Sequence, residues 1–247
     1  MTEPTAAASA PGQARRLNWS IVRLALAVFG LTLCSSVTVA VSPFITGALM
    51  DHRLWDGVRL TDFQAGMIRT IEILTFASLT IFISARIRSF QPRHLGLFGV
   101  SMILIGNLAG IVGGGFWEVV AARMCHAVGA ACALSAASAL IVRARNPQRI
   151  SGSLVAPGLV LAMIAVITAS QLASTRPEAW GAAGADLAAF LGLADKATFS
   201  QLGAFGAVSV VAALALALVL AFVPKGKAEG TDQPAFSSML GALKSPY

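Results

Sequence analysis

The stretch Trp117–Arg143, WEVVAARMCHAVGAACALSAASALIVR, decides the reading of the fold. A helix that crosses a bilayer needs roughly 20 predominantly apolar residues, and this stretch is long enough. Yet it carries Arg123 and His126 among small residues. Arg123, His126, Gly129, Ala133 and Ala137 follow at steps of three and four, which places them on one helical face. An arginine keeps its charge in a protein, so Arg123 requires water or a partner. It either faces a solute path or staples helices together.

Outward from this stretch the chain reads as an all-α polytopic membrane protein. Of its 247 residues, 56% are hydrophobic and 12% charged, against about 25% charged in an ordinary soluble domain. Mean hydropathy is +0.76. No Asp, Glu, Lys or Arg occurs in Leu24–Met50, Leu95–Trp117, Met124–Val142, Ile150–Thr175 or Ala197–Pro224. A further apolar region, Phe63–Ala85, is interrupted only by Arg69 and Glu72. Six spans are expected, at about 24–49, 63–85, 95–115, 117–142, 150–173 and 201–223.

The net charge of +7 raises nucleic acid as a partner, but the placement of the basic residues argues against it. They gather in alternate connections: Arg15, Arg16 and Arg23; Arg86, Arg88 and Arg93; Arg143, Arg145 and Arg149; Lys225, Lys227 and Lys244. In the other connections Arg53, Arg59, Arg176 and Lys196 are diluted by acidic residues. That is the positive-inside pattern. It predicts both termini in the cytoplasm, in keeping with an even number of spans and a bacterial inner membrane. Cys34, Cys125 and Cys132 all fall inside expected spans, with no disulfide framework and no metal-ligand spacing. No metal and no cofactor is expected.

Residues 1–19 read as a disordered cytoplasmic tail rich in Ala, Pro, Ser and Thr. The apolar run that follows is longer than the 7–15 residues of a signal-peptide core. Span one begins after Trp19, an interfacial aromatic, and places Cys34, Ser35, Ser36 and Thr38 at mid-depth. Pro43 is expected to kink or end it. The polar patch fits either a cavity wall or close helix packing. In span two, Arg69 and Glu72 are three apart and can pair. A charge inside the hydrocarbon costs roughly 2.5–3.5 kcal/mol on insertion scales. Pairing, a water-filled cavity or protonation of Glu72 would offset that. Span three carries Gly106, Gly110 and Gly114, expected to form one smooth face that lets a neighbouring helix approach closely, and Gly129 of span four is a further packing candidate. Asn107 is expected to hydrogen-bond across that contact. Pro157 is a kink candidate in span five. Ala182–Leu193 is expected to lie as a helix on the membrane surface. Residues 224–247 read as a cytoplasmic linker leading to a missing second half, so the chain is expected to be truncated.

This layout resembles the N-terminal six-helix half of the major facilitator superfamily, from about Ser20 to Tyr247. In helix four, Arg123 and Gly129 match the family's Arg-x3-Gly-x-Gly pattern, with Ala127 at the first glycine and His126 where Gln is frequent. After helix two, Arg93 matches the family's loop motif outright and His94 in part. Pro157 sits too early for the antiporter motif of helix five. The resemblance implies two halves that rock about a central cavity, with helices one and four lining it. Ser35, Thr38, Arg123 and His126 would then face a solute. Arg123 would hold an anionic group or tune a nearby proton carrier, for which Glu72 is the candidate.

The function expected is a secondary transporter that moves a small solute by alternating access. An organic anion and proton coupling are the options to test. The alternative is a non-transporting six-helix accessory or scaffold subunit. Beyond the lipid bilayer, the partners to consider are a second half, a second copy or a larger membrane complex. An enzyme is not expected. There is no Gly-x-Ser-x-Gly setting with a histidine, no pair of histidines in spans for haem, and no GxxxxGK[ST] loop for ATP.

Overall fold

A computed structural model of the chain describes residues 19–51, 59–112, 115–142, 147–174 and 196–223, with the isolated residues Ala182 and Asp186. The expected tail, the C-terminal linker, Gly114 and nearly all of Ala182–Leu193 lie outside the described residues. The described chain forms six α-helices: α1 Trp19–Asp51, α2 Asp62–Ala85, α3 Pro92–Val112, α4 Phe116–Val142, α5 Pro147–Ser174 and α6 Lys196–Phe222. A short 3-10 turn, Ile87–Ser89, joins α2 to α3. No strand occurs among the described residues.

Four helices contain segments long and apolar enough to cross a membrane: Val22–Gly47, Asp62–Ala85, Pro92–Ile111 and Phe116–Val142. The outside of the bundle agrees with a lipid surround. Phe63 is 76% exposed, Met163 66% and Leu214 63%, while Ser42, Glu72, Asn107, Arg123 and His126 are buried. A soluble protein tends to bury apolar groups and solvate charges; this bundle holds its charges inside and presents apolar side chains outward.

α1 touches every other helix, and α3 and α4 form the most extensive pair. α2 lies against α4 and, more lightly, α1. The α3–α4 contact depends on missing side chains. A Cβ on Gly99 would stand 2.7 Å from the Ala133 nitrogen and 2.8 Å from the Gly129 oxygen. One on Gly129 would stand 2.5 Å from the Gly99 oxygen, and one on Gly106 2.7 Å from the Ala122 oxygen. Gly110 is placed differently from the expected single face: it makes room for the Phe205 ring of α6. The working stripe on α3 is thus Gly99, Ile103 and Gly106, at steps of four and three.

Two apolar cores divide the bundle along its length. One gathers Val28, Leu31, Val100, Ile103, Ala133 and Val219. The other gathers Val41, Ile45, Ile68, Val119, Phe205 and Val208. The buried charges of α2 and α4, Glu72 and Arg123, fall in sequence between the residues these helices give to the two cores.

The structure narrows one local expectation and corrects another. Of the two outcomes expected at Pro43, an end of the helix is not seen: α1 continues to Asp51. The proline lies on the exposed side, and its buried neighbours Ser42 and Ile45 hold the helix to the bundle. Asn107 does not bond across to α4; its Nδ2 donates to the Ile103 carbonyl of its own helix at 2.8 Å.

Thr61 and Gln64 form a reciprocal capping box at the start of α2. Arg93, at the start of α3, reaches the end of α6. Its Nη1 donates to the Val223 carbonyl at 2.7 Å and its Nη2 to the Leu220 carbonyl at 3.4 Å. Carbonyls at a helix C-terminus lack intrahelical partners and carry the negative end of the helix dipole, so a guanidinium there satisfies both needs. His94 beside it is exposed.

Candidate functional site

Glu72 stands about 15 Å from the start of α2, at 1.5 Å per residue. Three helices converge on its carboxylate. From α4, Arg123 Nη2 donates to Oε1 at 2.5 Å. From α1, the Ser42 hydroxyl donates to Oε2. From its own helix, Arg69 Nη1 donates to Oε2 at 3.4 Å. His126, one turn along α4 from Arg123, brings Nδ1 to 3.7 Å from Oε1, beyond hydrogen-bond range.

The cluster is enclosed. The side chains of Arg123 and His126 are 1% exposed and that of Glu72 6%, whereas Arg69 remains 32% exposed. It is also incompletely satisfied. Arg123 Nε and Nη1 and both ring nitrogens of His126 have no hydrogen-bond partner among the described residues. A buried polar group left unpaired costs about 1–3 kcal/mol. Four such atoms beside one carboxylate mark a place that calls for water or a polar ligand.

A small cleft adjoins the cluster. It has about 30 Å³ of space and is lined by Thr38 and Val39 of α1, Arg69, Glu72, Ile73 and Phe76 of α2, and Ala127 and Ala130 of α4. Val39 and Ile73 are exposed at its rim. The small side chains of α4 leave the space, and Thr38 and Val39 of α1 form another wall.

The residues singled out from sequence divide into three groups. Arg69, Glu72, Arg123 and His126 come together in one cluster. Thr38 lines the cleft, although its hydroxyl donates to the Cys34 carbonyl at 2.6 Å. Ser35 is instead at the α1–α4 contact, donating to the Ala130 carbonyl at 3.4 Å. Gly106, Gly110 and Gly129 pack helices, and Arg93 caps α6. Glu118, in the first turn of α4, is exposed and accepts from the Gly115 nitrogen at 3.3 Å.

Ser42 is the functional residue that sequence reasoning missed. It continues the Ser35–Thr38 face by one further step of four, and Thr46 extends the same line. A polar stripe running past the proline was the available signal. Gly99 was missed similarly, seven residues before Gly106.

No protein-family model, no curated protein and no solved structure matches this chain. The functional reading therefore stands on the geometry.

Proposed function

We propose that the chain is a six-helix half of a secondary transporter of the major facilitator type. In this reading all six helices span the membrane, with both termini cytoplasmic in a bacterial inner membrane. The Glu72–Arg123–His126 cluster lies on the solute path, facing a second six-helix bundle across a central cavity. The observation that carries the reading is the incompletely satisfied charge cluster beside an open cleft, enclosed in an apolar bundle. Intramembrane ionisable residues are costly and concentrate on substrate and proton routes.

The roles follow from the contacts. Arg123 fixes the carboxylate of Glu72 from α4. Ser42 orients it from α1, so a movement of α1 against α4 is felt at the carboxylate. Glu72 is the proton carrier: taking up a proton weakens its hold on Arg123 and frees a guanidinium for an anionic solute. His126, with both nitrogens unpaired, offers the nearest second proton acceptor.

One observation favours a second reading, an accessory subunit in which the cluster only staples helices. Arg123 is almost wholly enclosed and already has direct contact with a carboxylate. The two readings separate in proteoliposomes that enclose a pH-sensitive dye, challenged with a panel of small organic acids. Transport predicts acid-evoked proton movement that is lost in Glu72→Gln and in Arg123→Gln, with the double variant Glu72→Met/Arg123→Met folded but inactive. Proton movement unaffected by either single substitution removes the cluster from the path. None in the wild type sinks transport by this bundle alone.

A further inference from the structure

We infer that the cleft beside Glu72 binds a small monovalent anion, with Arg69 and Thr38 as its contacts. Charge counting comes first. Two guanidiniums, Arg69 and Arg123, share one carboxylate. The cluster therefore holds one excess positive charge when Glu72 is ionised and two when it is protonated. Protonation of His126 would only add to the excess, so its sign does not depend on proton occupancy. No second acid lies beside it within the described helices. Among the described helices, Asp51, Asp62 and Glu118 occupy terminal turns, and only Glu72 lies in an interior. An uncompensated charge within apolar surroundings is expensive, and a small anion supplies the missing counter-charge.

Geometry then selects Arg69 over Arg123. Arg123 is enclosed and committed to Glu72 at 2.5 Å. Arg69 makes a single long hydrogen bond among the described residues, 3.4 Å to Glu72, and stays partly exposed at the cleft. The cleft leaves about 30 Å³ of space there, more than the roughly 10–15 Å³ that a single water needs on the same measure, so it has room for a small anion such as chloride. Thr38, opposite on α1, has a hydroxyl oxygen whose proton is engaged by Cys34. Reorienting that proton would let it donate to the anion. A lipid headgroup is disfavoured by depth, because Arg69 lies about 10 Å along α2 from its start and apolar Ile73 and Phe76 flank the cleft.

The inference rests on the proposed function in one respect: the rim at Val39 and Ile73 meets water and not acyl chains. It concerns binding and needs no turnover. The experiment is thermal denaturation of the full chain in neutral detergent at constant ionic strength, with chloride replacing gluconate. A ligand that binds only the folded state raises the melting temperature with concentration.

The expected result is a saturable rise of several degrees for the wild type. Arg69→Gln should lose it and Arg69→Lys should keep part of it. Glu72→Gln removes the competing negative charge, so half-saturation should fall about tenfold or more. Should Glu72→Gln fail to fold, the two Arg69 variants carry the test. Absence of a chloride effect in the wild type, an equal effect in Arg69→Gln, or abolition of the effect by added phosphatidylglycerol would each overturn the site. Chloride binding without acid-evoked proton movement would leave this inference standing while the transport reading fails.

Discussion

At the scale of single residues, the energetics turn on whether Glu72 and Arg123 keep each other. Removing one partner of a buried ion pair leaves an uncompensated charge and costs about 3–5 kcal/mol, whereas replacing both with apolar groups can be nearly neutral. Glu72→Met and Arg123→Met are each expected to lower stability in detergent by roughly that amount. The double variant should recover most of the loss, because the two residues share one contact and cannot act additively. Unfolding curves of the four proteins check this; additive losses would show that the pair is not coupled. Ser42→Ala should be milder, about 1–2 kcal/mol, since it removes one hydrogen bond to a charged acceptor. Arg93 is the second residue with a defined load. Arg93→Met removes the cap on α6 and is expected to cost about 1–2 kcal/mol, measured the same way. His94→Ala, an exposed neighbour, should change little.

At the scale of helices, the α3–α4 seam makes a sharper prediction than any polar contact. A Cβ at Gly99 would fall within 3 Å of two α4 backbone atoms, so Gly99→Ala must push the helices apart. Overpacking of this kind costs about 1–3 kcal/mol. Gly66 of α2 has nothing within 4 Å of its added Cβ, so Gly66→Ala should be neutral or stabilising by up to about 1 kcal/mol, through helix propensity alone. A pair of melting curves separates the two, and equal responses would contradict the seam. The helices themselves were legible in the sequence because charge-free apolar runs impose them. Their ends were less so: α3 begins at Pro92 and not Leu95, since the fixed φ of proline suits a first helical turn. The small-residue face of α3 was legible in kind but not in partner. Periodicity places Gly106 and Gly110 close together on a helix, and only packing shows that one meets α4 and the other Phe205 of α6.

At the scale of the whole molecule, the bundle is a pair of apolar cores with a charged layer between them. The residues of that layer were legible one by one, because Arg69, Glu72, Arg123 and His126 stand out against apolar surroundings. Their meeting was legible only in part: the family resemblance set Glu72 near Arg123, while sequence spacing alone relates Arg69 only to Glu72 and Arg123 only to His126. Ser42 carried a signal as the next step of the Ser35–Thr38 stripe, but its acceptor lies on another helix, so its role was not legible. The central claim is that this layer opens to water inside a membrane-spanning bundle, and cysteine accessibility tests it most directly. In a background with Cys34, Cys125 and Cys132 replaced by alanine, a single cysteine is placed at Ile73, on the cleft, or at Leu74, its exposed neighbour turned about 100° away on the helix. Native membranes are then treated with a charged, membrane-impermeant maleimide. The account predicts modification of Ile73→Cys, slowed by chloride, and none of Leu74→Cys, which faces lipid. Equal reactivity at the two positions, or silence at both, would contradict it.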